Sequence, residues 1–176
     1  GPIPQEISLN CRTKLGLEKV PLKSLPPWLG IDRALGAWGA LIRAKKSGVQ
    51  FPGVLVADAG TVLTLTRVSP DGEFTGGRLV AGLQLQLSSM AKGAKNLSDP
   101  GLNPLPIERF PLDTAQAMRQ GAIQALTGDL LDAQQETSLP LWLCGGDGII
   151  LFNELKKKGI KAIHRPNLTL EGLVDL

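Results

Sequence analysis

From residue 29 onward the chain moves between two hydrophobic rhythms. Leu35, Trp38, Leu41 and Ile42 recur at helical spacing, which predicts a helix from about residue 29 to Lys46 with Gly48 as its stop. The run Gly53-Val54-Leu55-Val56-Ala57 is continuously apolar, the pattern of a strand covered on both faces. Residues 62–68 then alternate, Ser69-Pro70-Asp71-Gly72 is a turn, and residues 73–80 resume a strand pattern through Gly76-Gly77. These three runs predict a meander. Helical periodicity returns at 81–92, entered through Gly82, with Leu83, Leu87 and Met90 inward. Residues 96–106 read as loop, and a longer helix follows to about Ala133. A second buried strand over 139–144, a helix over 149–158, a short strand near 161–163 and a tail at 168–173 complete the series. Helices alternating with strands in this order predict an α/β lobe with a mixed sheet. Residues 1–29 are broken by five prolines; a strand over 3–9 is the only element they suggest.

Polar chemistry falls where strands and helices end. The first strand stops at Asp58-Ala59-Gly60-Thr61, so a carboxylate, a glycine and a hydroxyl share one turn. Glycine there lets backbone N–H groups approach a phosphate, and the carboxylate can manage a cation. This resembles the layout of a phosphate-loop lobe in the actin-like and sugar-kinase superfamily. The strand at 139–144 ends in Gly145-Gly146-Asp147-Gly148 before a helix, which is either an anion-accepting geometry or a tight turn. At the head of the first helix, Asp32 is placed well for an N-cap. Arg33 is placed badly, since a cation in the first turn opposes the helix dipole by about 0.3–1 kcal/mol. Either an anionic partner or an ion pair with an acid elsewhere accounts for it. Asp113 and Thr114 are explained as an N-cap and a first-turn residue without any ligand.

Composition narrows the field further. The 176 residues suffice for one ordinary domain, and 43% hydrophobic with 20% charged residues is a globular balance. Net charge is only +3 and aromatics are 4%, so neither the basic stripe nor the stacking platform of a nucleic-acid binder is present. Lys156-Lys157-Lys158 reads as a solvated helix end. Cys11 and Cys144 lie far apart without metal spacing, which suggests a reducing compartment. With no signal peptide or membrane-length apolar run, the expectation is a cytoplasmic protein that binds neither membrane nor nucleic acid. His164, the only histidine, has no second ligand nearby in sequence and is given no role.

Taken in order, these motifs carry a resemblance. Leu29-Gly30-Ile31-Asp32-Arg33, Asp58-Ala59-Gly60-Thr61 with Thr64, and Asp71-Gly72 followed by Gly76 to Leu83 resemble the ordered motifs of the type III pantothenate kinase family. Leu105-Pro106, Asp113 to Met118 with Gly121, Cys144-Gly145-Gly146 and Leu168 to Leu173 are similar to that family's later landmarks. The resemblance implies an actin-like (ribonuclease H-like) lobe and ATP-dependent phosphorylation of pantothenate, the entry step to coenzyme A. It implies Asp32 as the general base, with Gly30, Ile31 and Arg33 completing the substrate-contacting motif. It further implies a monovalent cation (K+ or NH4+) at Asp58, ATP at Thr61 and Gly60 with Mg2+ on its phosphates, and pantothenate at Thr114 across a homodimer interface.

Departures from the family pattern shape the remaining expectations. The family's earlier phosphate loop, of the type Asp-x-Gly-Asn-Thr, has no counterpart before Asp32. The N-terminal phosphate-loop region is therefore expected to be absent, with residues 1–50 a remnant of that lobe and 51–176 the C-terminal actin-like lobe. Ala81 stands where the family usually has proline, and Val62 where alanine is common. A pantothenate-binding or dimerising module without nucleotide chemistry is the alternative function, and a sugar- or acetate-kinase-like lobe is a third. A lobe separated from its neighbour would expose an apolar patch and self-associate.

Overall fold

The computed structural model describes residues 15–47 and 51–176. The expected strand over 3–9, the stop at Gly48 and Cys11 lie outside the described residues. After a single 3-10 turn (Leu17–Lys19) comes helix α1 (Ile31–Lys46), then the meander β1 (Val54–Ala59), β2 (Val62–Val68) and β3 (Phe74–Ala81). Helices α2 (Leu83–Gly93) and α3 (Thr114–Thr137) follow, and the chain closes with β4 (Leu141–Cys144), α4 (Gly148–Lys157), β5 (Ala162–His164) and α5 (Leu168–Val174). Every element predicted from residue 29 onward is present, with ends shifted by a few residues. The largest extension is α3, which continues past Ala133 to Thr137.

The five strands form one sheet in the order β3-β2-β1-β4-β5. The meander strands pair antiparallel, whereas β1 with β4 and β4 with β5 are parallel. Because side chains alternate along a strand, β1 divides the core in two. Leu55, Ala57 and Ala59 face α2, α3 and α4, where they meet Leu83, Leu87, Met118, Leu126, Leu130 and Leu151. Val54 and Val56 face the other way, onto Ala37, Leu41, Trp142 and Leu168, so α1 and α5 cover that side. The continuous apolar run at 53–57 is thereby explained: β1 is the central strand, buried on both faces. Truncating one of its fully buried neighbours, such as Leu41 or Leu130, is expected to cost about 2–5 kcal/mol.

Two local features fix how α1 lies. At the turn between β2 and β3, Gly72 has φ +82°, a conformation that favours glycine, and the Gly72 N–H donates to Ser69 O at 3.0 Å. Farther along, Gly39 of α1 and Gly172 of α5 meet backbone to backbone; a Cβ on Gly39 would lie 2.8 Å from Leu168 O. Arg43 of α1 reinforces the crossing through Glu171 at 2.7 Å and Asp175 at 2.7 Å. The helix of the first expected unit thus packs on the sheet of the second. Residues 15–29, which gave little sequence signal, supply Val20 and Leu29 to a small cluster with Ala34 and Leu35 of α1. The Lys23 backbone forms a parallel bridge beside the start of β3, its N–H donating to Gly72 O and its carbonyl accepting the Phe74 N–H. Lys156, Lys157 and Lys158 are exposed at the end of α4, as a solvated helix end should be.

Candidate active site

A polar row crosses the sheet beneath the start of α1. Strand alternation puts Asp58 on the α1 side of β1, in line with Val54 and Val56. Its register partners are Thr64 on β2 and Cys144 on β4, so a hydroxyl, a carboxylate and a thiol lie side by side on three adjacent strands. Burial raises the Asp58 carboxyl above its usual range, and the negative charge of Asp32 raises it further; a hydrogen bond from the Cys144 thiol partly offsets both. The thiol is pushed up to about 12, by burial first and the Asp58 charge second, and stays protonated. Its Sγ also lies 3.7 Å from Ala57 O. Sequence alone gave Cys144 no functional part, because its nearness to Asp58 depends on strand register.

The chain leaves β4 through Gly145, with φ +82°, where a Cβ would collide with Asp58 and with the Ala59 carbonyl. Glycine is therefore required for β4 to pass the carboxylate this closely. Asp147 follows, its N–H donating to Ala59 O at 2.9 Å and its carboxyl raised by burial.

Asp32 lies at the other side of this corner, on the first turn of α1. The N-cap is Gly30, so the expectation that Asp32 caps the helix is corrected. Asp32 is the second helical residue; its Oδ1 accepts the Arg33 N–H at 2.9 Å, and the side chain is exposed. The Gly30 cap lies directly beside that oxygen, which is 2.5 Å from where a Gly30 Cβ would stand. Ile31 is half-buried beside it, packed toward Leu29 and Leu35.

Arg33 turns from the helix into the sheet. It is only 8% exposed, with Nε donating to Thr66 Oγ1 at 3.1 Å and Nη2 to Leu65 O at 2.9 Å. Burial lowers its pKa, and the Asp32 charge works against that. The alternative of an ion pair with a distant acid is not met: among the described residues no carboxylate lies within 4.0 Å of the guanidinium. A buried cation whose protein partners are neutral is suited to an anion.

Gly60 and Thr61 open on a cleft of about 470 Å3, lined also by Gln84, Ser88, Lys92 and Asp147. Gly60 and Gly146 each have open space where a Cβ would stand. Bare backbone beside a lysine at two strand ends is a cradle that phosphate oxygens can enter. Sequence reasoning missed Gln84, Ser88 and Lys92, which sit on the solvent side of a helix and gave no chemical pattern.

Thr114 is not part of this group. It is exposed at the start of α3, in the helical layer opposite α1, and Asp113 caps it by accepting the Gln116 N–H at 2.9 Å. The segment before it carries Ile107, Phe110 and Leu112 at 97%, 87% and 106% exposure. Among the described residues no cluster of three or more metal-ligating side chains occurs, and no helix is long and apolar enough to cross a membrane.

A sequence profile of type III pantothenate kinases matches residues 12–134. The chain belongs to the type III pantothenate kinase family. A family member from Synechococcus sp. (strain JA-3-3Ab) is 36% identical over 168 residues, covering 90% of this chain and 66% of its own. One from Nostoc sp. (strain PCC 7120) is 34% identical, covering 94% of this chain and 61% of its own. This chain therefore spans about two thirds or less of the length of those type III pantothenate kinases. Among solved structures, a Baf family protein from Campylobacter jejuni superposes with TM-score 0.65 at 20% identity, over 98% of this chain and 77% of that one. An archaeal actin homologue superposes with TM-score 0.54 at 12% identity, over 80% and 53%. At such identities the likeness establishes the fold, which is actin-like.

Proposed function

We propose that the protein bearing this chain phosphorylates pantothenate with ATP, giving 4'-phosphopantothenate in the first step of coenzyme A biosynthesis. The observation that carries this reading is the polar corner under the start of α1, where Asp58 lies between Thr64 and Cys144 and Arg33, next to Asp32, is held on the sheet by Thr66 and Leu65, in a chain of the type III pantothenate kinase family. Phosphoryl transfer needs mainly positioning and charge neutralisation, and each residue has a part in one of these. Asp32, exposed at the helix start, takes the proton of the pantothenate hydroxyl. Gly30 and Ile31 shape the floor beside it. Arg33 meets the pantothenate carboxylate, the direct anionic partner its buried charge lacks among the described residues. Gly60 and Thr61 receive ATP phosphates at the open cleft.

The metals fit what the side chains offer. Asp58 has a carboxylate desolvated by burial and crowded by Asp32, and a monovalent cation, K+ or NH4+, relieves both strains. Mg2+ enters on the ATP phosphates, and when bound these cations neutralise phosphate charge. Thr114 contacts pantothenate from the partner subunit of a homodimer, a reading supported by the bare apolar segment in front of it. As an enzyme of coenzyme A biosynthesis the protein is assigned to the cytoplasm. The test is ADP release measured with pantothenate, ATP, Mg2+ and K+, omitting each in turn. Release that requires all four supports the proposal; release indifferent to pantothenate sinks it.

A further inference from the structure

A buried guanidinium is ordinarily paired directly with a carboxylate, whereas among the described residues none lies within 4.0 Å of Arg33 and the Asp32 charge acts on it only from beyond contact. Its Nε–Nη2 edge is taken up by the Thr66 hydroxyl and the Leu65 carbonyl, both neutral. Thr66 is 2% exposed and sits on the α1 face of β2, one alternation below Thr64, opposite Val56 and Gly77. Gly77 makes room for it on β3: a Cβ there would stand 2.6 Å from Arg33 Nη2. The hydroxyl and the carbonyl therefore fix the plane of the guanidinium, and the bare Gly77, where a Cβ would also collide with the Leu65 carbonyl, leaves it room. None of them quenches its charge.

We infer that Thr66 is a positioning residue for substrate: it holds Arg33 by its Nε edge without neutralising it, so that the remaining edge is aimed at the substrate carboxylate. An uncharged acceptor is what this task requires. A carboxylate at this position would compete with the substrate for the cation, and an apolar side chain would leave a buried Nε–H unpaired and free the guanidinium to turn. The inference rests on the proposed contact between Arg33 and the pantothenate carboxylate, and the experiment separates the two.

Pantothenate affinity is measured by calorimetry on the wild type, Thr66→Val, Thr66→Ser, Arg33→Met and the Thr66→Val/Arg33→Met double variant, with the KM for ATP followed in parallel. Valine matches threonine in shape and suits a strand, and Thr66→Ala serves as a second hydroxyl-free variant should Thr66→Val not fold. Thr66→Val weakens pantothenate binding about tenfold, the usual scale for a hydrogen bond to a charged group, while the KM for ATP holds. Thr66→Ser recovers most of the affinity. In the Arg33→Met background, Thr66→Val adds nothing, because Thr66 acts only through Arg33. Wild-type affinity in Thr66→Val, equal losses in Thr66→Ser and Thr66→Val, or additive losses in the double variant would each overturn the inference while leaving the Arg33 reading standing. Wild-type affinity in Arg33→Met would overturn both.

Discussion

The corner under α1 and the segment leading into α3 both carry residues expected to touch pantothenate, yet the chain treats them oppositely. In the corner, each polar group has its setting within the same chain: Asp58 lies between Thr64 and Cys144, and Arg33 is held by Thr66 and Leu65. Ahead of α3, Ile107, Phe110 and Leu112 stand in solvent with nothing over them, and Thr114 is exposed behind its Asp113 cap. The contrast teaches how the two halves of a site can be encoded. On the proposed reading, fixed positions for proton transfer and charge come from strand register and helix packing, whereas contacts to be finished by a second subunit would leave an apolar surface behind.

Asp32→Asn gives the largest expected effect, since it removes the proposed base and little else. Turnover should fall by about 10²–10⁴-fold, the range typical of a positioned general base. The Tm should not fall, because the side chain is exposed and is not the helix cap, and losing its charge relieves Asp58. A Tm loss matching the activity loss would return Asp32 to a structural part. Next comes the apolar segment. Phe110→Ser with Leu112→Ser should shift a dimer toward monomer in sedimentation by about tenfold or more in dissociation constant, given the area that two exposed large side chains would bury. An unchanged dimer would move the interface elsewhere. Thr114→Val is the mildest of the three: the KM for pantothenate rises several-fold, on the order of one lost neutral hydrogen bond, with kcat nearly kept. An effect as large as that of Asp32→Asn would erase the distinction between the two regions.

Much of this contrast was legible in the sequence, and the illegible part has a common cause. The meander, the buried central strand and the Asp113 cap follow from local periodicity and capping chemistry, which the structure keeps intact. The end of β1 at Asp58-Ala59-Gly60-Thr61 was likewise readable, because an apolar run interrupted by a carboxylate announces a sheet edge. Asp32 was misread as a cap because capping propensity is scored one residue at a time, while the helix is capped two residues earlier, at Gly30. Thr66 and Cys144 became meaningful only through register: the first through a helix 33 residues earlier in the chain, the second through its parallel pairing with Asp58. The small cluster of Val20 and Leu29 was hidden by prolines that suggested no core at all.

Asp58 offers the most direct test, because its stability and activity consequences point in opposite directions. Its carboxyl is raised in the folded protein, so the native state holds this proton more tightly than the unfolded chain does. The sign follows: stability linked to Asp58 is greatest below the ordinary carboxylate pKa and declines as pH rises through the raised value, leaving an ionised Asp58 a net burden at neutral pH. Asp58→Asn in the absence of monovalent cation should therefore raise Tm at pH 7, by on the order of 2 °C, with the gain vanishing as pH falls below the carboxylate range. The same variant should lose both pantothenate-dependent ADP release and its response to K+. A variant that is more stable but inactive is the predicted result. One that melts lower than the wild type at pH 7, or that keeps its K+-dependent turnover, would contradict the claim that the Asp32–Asp58 corner is the active site.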